Sequence, residues 1–308
     1  MSSSADEAVQ QPRRADRPRA AGRSRGAFAV ILASRGSQPM NADGQWQLAG
    51  NAAELYEDVL VPTVFKPWGA DLVELADLRQ GERVLDVACG TGVVARLAAQ
   101  QVGTTGEVTG LDLNASMLRV ARSLPAPPGA PVTWVEGSAL AMPLPDAWFA
   151  VVLCQQGFQF FPDQPAGLQE LKRVLVPGGR VLLSIWAGET PYTRAMSAAV
   201  ERHAGPEAAN TLRRSRACPD PETVRHLMVQ TGFRSAQIRA RTLTRRLPEI
   251  ASFVLRHLAA TPVANTIASL SEGARATLAE EVRRALQAYR DGNGVTYPEV
   301  TNVLMAVR

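Results

Sequence analysis

Short apolar runs alternate with amphipathic segments through the middle of this 308-residue chain, and this alternation limits its fold more than any other feature. Each apolar run has the length of one strand, and most segments between the runs have apolar residues at helical spacing. Strands that are apolar throughout are typical of a parallel sheet with helices on both faces. The pattern predicts strands at 83–88, 106–113, 131–137, 148–154 and 179–186, and helices at 92–102, 114–124 and 165–175.

Helical periodicity also precedes this region, with interruptions at Pro62 and Pro67, and it returns after residue 190. Two further strands are predicted at 235–247 and 299–307. Because helices are inserted between these last strands, we expect them to form a cap over the carboxyl edge of the sheet. The predicted domain covers residues 46–308, with a core at about 80–190 and cap segments at about 48–78, 191–218 and 248–291.

The net charge of +4 lies in the amino-terminal tail. Residues 1–39 contain seven arginines and three acidic residues, so acidic and basic residues balance in the remainder. Because the charges of residues 40–308 balance, there is no reason to expect a nucleic-acid partner for this part of the chain. Residues 1–45 are rich in Ser, Pro, Gly, Arg and Gln, and this composition predicts a disordered basic tail.

The three cysteines, Cys89, Cys154 and Cys218, form no Cys-x-x-Cys pair. An odd number of unpaired thiols is typical of a cytoplasmic protein. No apolar run approaches the ~18 to 20 residues that span a bilayer. The apolar stretch 27–33 follows arginines as in a signal peptide, but it is at the lower limit of the usual length and nothing downstream looks secretory. We therefore expect a cytoplasmic protein that does not insert into membranes.

A glycine turn, Gly90-Thr91-Gly92, connects the first strand to the following helix. With Ala95 as a third small residue and Asp112 about twenty residues further on, the pattern fits a dinucleotide site. It fits equally a small adenosine compound that carries positive charge and no phosphate. The carboxylate of Asp112 could accept hydrogen bonds from ribose hydroxyls in either ligand.

Asp86 distinguishes these two ligands in the sequence. It lies four residues before the turn, where the pyrophosphate of a dinucleotide would bring negative charge to the helix amino terminus. A carboxylate there would repel the pyrophosphate but would attract a cationic ligand such as S-adenosylmethionine. The alternative is that Asp86 caps the helix or is buried and hydrogen bonded.

Four segments together resemble the successive motifs of class I S-adenosylmethionine-dependent methyltransferases. They are "VLDVACGTG", "GLDLNASMLRVAR", "EGSALAMPLPDAWFAVVLCQQGFQFFPD" and "ELKRVLVPGGRVLLSIW". The resemblance is to the small-molecule group that includes ubiquinone/menaquinone-type C-methyltransferases and natural-product O-methyltransferases. It covers about residues 50–190 and implies a Rossmann-like, doubly wound α/β fold whose seven-stranded sheet ends in an antiparallel strand.

The resemblance also implies a role for each residue of an S-adenosylmethionine site. Asp112 would hold the ribose, Tyr56 would close over the cofactor, and no metal is implied. The other positions follow the parts of the cofactor: Asp86, Ala88, Gly90 and Gly92 beside the methionine part, Leu113 and Met117 beside the adenine, Ser138 and Ala139 at its polar edge, and Cys154 and Gln155 beside the sulfonium.

Two positions depart from the family pattern. Ser138 stands where an acidic residue usually accepts a hydrogen bond from the adenine amino group, and Ala150 replaces an aspartate that helps to order a loop. A hydroxyl can still accept one hydrogen bond, so we expect weaker cofactor binding. The departures also leave open a non-catalytic adenosyl- or partner-binding module on the same fold.

The methyl acceptor is predicted to be a small apolar or aromatic molecule, because the cap segment "FVLRHLAATPVANTIASL" is largely aliphatic. Cys154 is expected to be a packed residue rather than a nucleophile, since no proline precedes it as in cytosine-C5 methyltransferases. His203 and His257, both in the cap, are candidates for a general base. The basic segment 212–216 could grip an anionic substrate, but a solvated helix face is the favoured interpretation. No catalytic residue and no oligomeric state are predicted.

Overall fold

A computed structural model describes residues 51–308, and one mixed sheet forms its centre. The strands are β1 (Arg83–Val87), β2 (Glu107–Asp112), β3 (Val132–Glu136), β4 (Phe149–Gln155), β5 (Leu175–Trp186), β6 (Arg234–Leu247), β7 (Arg290–Asp291) and β8 (Gly294–Val307). Their order is β3-β2-β1-β4-β5-β8-β6, with the two-residue β7 paired to β8. Strands β1 to β5 pair in parallel, whereas β8 runs antiparallel to both β5 and β6. This is the predicted Rossmann-like sheet with an antiparallel last strand.

Helices cover the sheet and its carboxyl edge. They are α1 (Ala52–Leu55), a π-helix (Tyr56–Phe65), α2 (Lys66–Leu75), α3 (Val93–Val102), α4 (Ala115–Ser123), α5 (Gln164–Val174), α6 (Pro191–Ala204), α7 (Pro206–Arg214), α8 (Pro221–Gln230), α9 (Ile250–Ala259), α10 (Ala264–Ala268) and α11 (Glu272–Ala285), with 3-10 turns at Phe158–Phe160 and Gln287–Tyr289. Among residues 51–308, no helix is long and apolar enough to cross a membrane.

Side chains just before the helices fix where they begin. Asn114 accepts hydrogen bonds from the backbone N–H groups of Ser116 and Met117, which confirms it as the N-cap of α4. Thr190 and Thr193 form a reciprocal capping box at the start of α6. The first cap helix after the sheet therefore begins directly at the carboxyl end of β5.

The predicted helical stretch before the sheet is continuous through both prolines. Pro62 lies inside the π-helix, and Pro67 occupies the first turn of α2, where its missing N–H is not needed. A proline inside a helix cannot donate the usual α-helical hydrogen bond, and wider π-type turns are typical of functional sites. This π-helix borders the cavity described below.

Two of the apolar clusters in the described part of the chain hold the sheet and the cap. One cluster lies between the sheet and α2 and α3, and it includes Leu72, Val94 and Leu153. The other joins the cap helices to each other and includes Trp186 and Phe253. The aliphatic cap residues therefore largely pack on one another.

Two strands begin several residues earlier than predicted, and one short strand was not predicted. β5 begins at Leu175 rather than 179, because Leu175 already pairs with Phe149 of β4 and the pairing resumes at Arg180 after a register shift. β8 begins at Gly294 rather than 299, and β7 was not predicted. Both strands belong to a hairpin, and no periodic pattern in the sequence predicts its pairing. The predicted tail of residues 1–45 lies outside the described residues.

Candidate functional site

A cavity lies at the carboxyl edge of the sheet, where the strand ends face the cap helices. This position is the topological switch point of the sheet, because β1 is flanked by β2 on one side and by β4 on the other. We call the part lined by residues at or just beyond the carboxyl ends of β1, β2 and β3 the strand-end side. The part lined by residues 186–216 and by His257 and Thr261 is called the cap side. The π-helix and the segment after β4 lie between them.

The cavity brings together nine of the twelve residues predicted for the cofactor site. These are Tyr56, Ala88, Gly90, Asp112, Leu113, Met117, Ser138, Ala139 and Gln155. The three others, Asp86, Gly92 and Cys154, do not line it.

Asp112 connects two of the loops that form the strand-end side, the one after β1 and the one after β2. One carboxylate oxygen accepts a hydrogen bond from Gly90 N at 2.7 Å, and the other accepts one from Asn114 N at 2.8 Å. Burial raises the pKa of this carboxyl, although the two N–H donors oppose the shift. Among the described residues that line the strand-end side, Asp112 is the only one with a charged side chain.

The two glycines of the turn have different roles. Both have positive φ angles, +55° at Gly90 and +86° at Gly92, which favour glycine. A Cβ on Gly90 would meet no atom closer than 3.8 Å, so this glycine keeps the cavity floor open. A Cβ on Gly92 would lie 2.1 Å from the Trp134 ring. Gly92 is therefore required for packing beneath Trp134, which explains why it does not reach the cavity.

Asp86 is buried in the middle of the sheet, with 1% of its surface exposed. Its Oδ2 accepts a hydrogen bond from Ala95 N, in the first turn of α3, at 2.9 Å. Burial raises the pKa of its carboxyl to about 8. The alternative of a buried helix cap describes this geometry, and a direct contact of Asp86 with a cationic ligand stays a prediction.

The raised pKa of Asp86 predicts a specific pH dependence of stability. Its folded pKa of about 8 exceeds the ordinary value of 3.8, so the folded state retains a proton that the unfolded state loses. The contribution of Asp86 to the free energy of unfolding therefore falls as the pH rises from about 4 to about 8. We expect Asp86→Asn to gain stability relative to the wild type across this range, as measured by urea unfolding at several pH values. A constant difference between the two proteins would contradict the assignment.

Cys154 is fully buried at the end of β4, and burial raises the pKa of its thiol to about 12. A neutral thiol outside the cavity cannot act as a nucleophile on a bound molecule. It is the packed cysteine that the sequence favoured, although it does not contact the cavity as the resemblance implied. The next residues, Gln155 and Gln156, line the cavity in its place.

The adenine-edge position Ser138 is part of a tight turn. Its Oγ accepts a hydrogen bond from Leu140 N at 3.1 Å, so one of its acceptor positions is already used. The loop before β4 is held by Arg173. This guanidinium binds the backbone oxygens of Met142 and Leu144 and the carboxylate of Asp146. No local pattern predicts these contacts, because Arg173 lies on α5, about thirty positions along the chain from the loop.

Gln156 is a cavity residue that the sequence did not indicate. Its backbone has a positive φ of +52°, which turns the chain sharply after β4. Its side chain is buried, and neither Oε1 nor Nε2 has a hydrogen-bond partner within residues 51–308. A buried amide without partners is costly, so this position fits a hydrogen-bonding ligand.

Arg216 contradicts the favoured interpretation of segment 212–216 as a solvated helix face. Leu212, Ser215 and Arg216 all line the cavity, and the Arg216 side chain is only 10% exposed. Its guanidinium stacks on Trp186 at 3.7 Å and donates from Nη2 to Glu299 Oε1 at 2.8 Å. The segment ends beyond α7, so its last arginine turns toward the cavity while Arg214 stays exposed.

Of the two candidate bases, only His257 lines the cavity. Its Nδ1 lies 3.0 Å from the Tyr192 hydroxyl, and burial together with Arg216 and Arg245 lowers its pKa to about 3. His203 instead pairs with Glu281 at 3.1 Å, outside the cavity. His257 is thus a neutral hydrogen-bonding group rather than a base tuned to neutral pH.

This neutral state predicts that His257 leaves no mark on the pH dependence of catalysis. Between pH 5 and 8 the imidazole stays uncharged, because its pKa is about 3. We expect the pH profiles of the initial rate for the wild type and for His257→Gln to have the same shape, even where the variant is slower. An inflection near pH 6 to 7 that is present only in the wild type would show that His257 titrates there.

Comparisons with known proteins agree with this geometry. A family model described as "Methyltransferase domain" matches residues 84–179. The chain is 32% identical over 196 residues to the ubiquinone/menaquinone biosynthesis C-methyltransferase UbiE of Pseudomonas aeruginosa, covering 58% of this chain and 76% of the relative. The corresponding Pseudomonas putida protein is 33% identical over the same share of each chain.

Solved structures show the same fold. Phosphoethanolamine N-methyltransferase 2 of Haemonchus contortus, in complex with S-adenosyl-L-methionine, aligns with a TM-score of 0.52 at 20% sequence identity. The alignment covers 83% of this chain and 56% of that one. At this identity the likeness establishes the architecture alone.

Proposed function

The chain belongs to the class I S-adenosylmethionine-dependent methyltransferases, and from this premise we propose that its cavity binds the cofactor on the strand-end side and a small apolar or aromatic acceptor on the cap side. The observation that carries the proposal is the carboxylate of Asp112. It lies beside an open glycine turn, on a surface without other charged side chains among the residues described.

The strand-end side fits an adenosine ligand that carries positive charge. Asp112 would bind the ribose hydroxyls, Leu113 and Met117 would contact the adenine, and Ser138 would face its polar edge. Gly90, Ala88 and Gln155 would border the methionine part. Because ribose hydroxyls are present in both ligands, Asp112 does not by itself distinguish S-adenosylmethionine from a dinucleotide, and the choice of S-adenosylmethionine rests on the family to which the chain belongs. Asp86, Gly92 and Cys154 do not line the cavity, and their contacts with the cofactor stay predictions.

The bound cofactor supplies an electrophilic methyl group on a sulfonium. The chain's own contribution is to hold an acceptor in line with this group and to exclude water, which can provide ~7 to 11 kcal/mol of the rate enhancement. Tyr56 stacks on Phe65 with ring centroids 4.9 Å apart, and both line the cavity. The π-helix therefore forms an apolar wall between the two sides, where water exclusion matters most.

An apolar or aromatic acceptor is supported by the walls of the cap side and of the neighbouring segments. Large apolar side chains face the cavity there: Leu60, Val64, Phe160, Phe161, Trp186, Met196 and Leu212. The non-catalytic alternative gains no support from the relatives, which are named as methyltransferases. We further propose a cytoplasmic location, supported by the free cysteines Cys89, Cys154 and Cys218, and no nucleic-acid partner, supported by the charge balance of the chain after residue 39.

Formation of S-adenosylhomocysteine tests this function directly. The full chain is incubated with S-adenosylmethionine and a panel of quinols, phenols and aromatic acids, and the product is measured by mass spectrometry. We expect acceptor-dependent product with at least one aromatic member. Tight cofactor binding without turnover on any member would favour the non-catalytic module, and failure to bind the cofactor would refute the assignment.

A further inference from the structure

The cap side of the cavity contains a buried arginine that is only partly neutralised. We propose that the methyl acceptor is an acid, whose anionic oxygen, a carboxylate or a phenolate, pairs with Arg216 while its apolar body packs against Trp186. This inference rests on the proposed function, because it names the class of acceptor for the same cavity. It makes Arg216 a specificity-determining residue.

The geometry leaves part of the Arg216 guanidinium free for a ligand. Nη2 is bound to Glu299, and the planar face is stacked on Trp186. Nη1 is buried and has no hydrogen-bond partner in the described part of the chain. A guanidinium fixed at one nitrogen and on one face is preorganised to donate from its remaining N–H groups to an anionic oxygen.

The charges around Arg216 do not cancel. Glu299, 2% exposed, is shared by Arg216 and Arg245, and its second oxygen also accepts from Trp68 Nε1 at 2.7 Å. Two buried arginines therefore face one buried carboxylate. The excess positive charge is costly in an apolar cavity, and an anion there would offset it.

Other titratable groups near Arg216 do not supply this anion. His257 is neutral, and burial raises the pKa of Tyr297 to about 12, so both stay uncharged. Glu189 does line the cavity, but its side chain is 35% exposed and lies 3.9 Å from Arg194. A solvated carboxylate at the rim offsets a buried charge weakly, because water screens it.

Two glutamines between the two sides provide further polar atoms without partners. Within residues 51–308, both side-chain polar atoms of Gln156 lack a hydrogen-bond partner, as does Oε1 of Gln159, whose Nε2 donates to Ser215 O at 3.2 Å. Both glutamines line the cavity with Arg216. Together they fit an acceptor with one anionic oxygen and at least one further hydrogen-bonding group on an apolar frame.

The test compares matched acidic and neutral probes on the full-length enzyme saturated with S-adenosylhomocysteine at pH 8. The carboxylate arm uses 2-naphthoate against 2-naphthamide, and the phenolate arm uses 4-nitrophenolate against nitrobenzene. Dissociation constants are measured by calorimetry for the wild type, Arg216→Met and Arg216→Lys. Arg214→Met is the matched control, since Arg214 belongs to the same basic segment but is exposed and does not line the cavity.

We expect the acidic member of at least one arm to bind the wild type at least tenfold tighter than its neutral partner. Arg216→Met should abolish this preference, Arg216→Lys should retain part of it, and Arg214→Met should leave it unchanged. The arm that shows the preference identifies the anion. Equal binding within both pairs in the wild type, or a preference that survives in Arg216→Met, overturns the inference. Binding of S-adenosylhomocysteine is measured separately, before the probes are added. If S-adenosylhomocysteine does not bind, this result refutes the proposed function instead.

Discussion

Asp112→Ala is expected to weaken S-adenosylmethionine binding by at least about 100-fold. The substitution removes the only charged side chain among the described residues of the strand-end side. Hydrogen bonds to a charged acceptor contribute ~1.5 to 3 kcal/mol each, and two ribose hydroxyls can bind one carboxylate. The substitution also frees Gly90 N and Asn114 N, whose acceptor it removes, so the turn loses its link to β2.

Glu136→Gln is the matched control for this variant. Glu136 ends the neighbouring strand β3 in register with Asp112, but it is exposed and does not line the cavity. Isothermal titration of both variants should show normal affinity for Glu136→Gln, and thermal melting should show that both remain folded. Unchanged affinity in a folded Asp112→Ala would mean that the ribose binds elsewhere.

Glu299→Gln is expected to lower the free energy of unfolding by about 3 to 5 kcal/mol, the usual cost of removing one partner from a buried ion pair. Burial opposes ionisation of this carboxyl, but the charges of Arg216 and Arg245 outweigh it and hold its pKa below the usual range. The amide would leave two buried guanidinium groups with no counter-charge. It would also disturb the contact with Trp68, which joins α2 to β8.

Glu280→Gln provides the comparison for Glu299→Gln. Glu280 pairs with Arg283 at 2.6 Å on the exposed surface of α11, where an ion pair contributes little to stability. Urea unfolding should leave this control close to the wild type. If both variants unfolded at the same urea concentration, the Arg216–Glu299–Arg245 cluster would have no special role in the cap.

Much of the sheet could be predicted from the sequence because it depends on local patterns, whereas most residues of the strand-end side were predicted from the resemblance to the methyltransferase motifs. Apolar strands that alternate with amphipathic helices predict a parallel sheet. In such a sheet the end of β2 lies beside the turn after β1. Asp112 as a possible ribose ligand and Asn114 as a helix N-cap could therefore be predicted from their positions in the sequence. The role of Asp86 could not be predicted in this way. A carboxylate in an apolar strand can face a ligand or cap the next helix, and only the packing of α3 on the sheet decides between them.

The cap side could not be predicted, since its residues meet only in the folded chain. Arg216 and Glu299 are 83 positions apart, and neither belongs to a motif. Within the segment 212–216, helical periodicity cannot show that the chain leaves α7 before Arg216. The free side chain of Gln156 likewise depends on a sharp turn after β4 and on burial by the cap.

A crystal structure of the complex with S-adenosylhomocysteine tests the division of the cavity most directly. The account predicts that both ribose hydroxyls lie within hydrogen-bonding distance of the Asp112 carboxylate, with the sulfur beside Gln155 and the cap side free for an acceptor next to Arg216. An adenosine moiety bound on the cap side, or a ribose that makes no contact with Asp112, would contradict it.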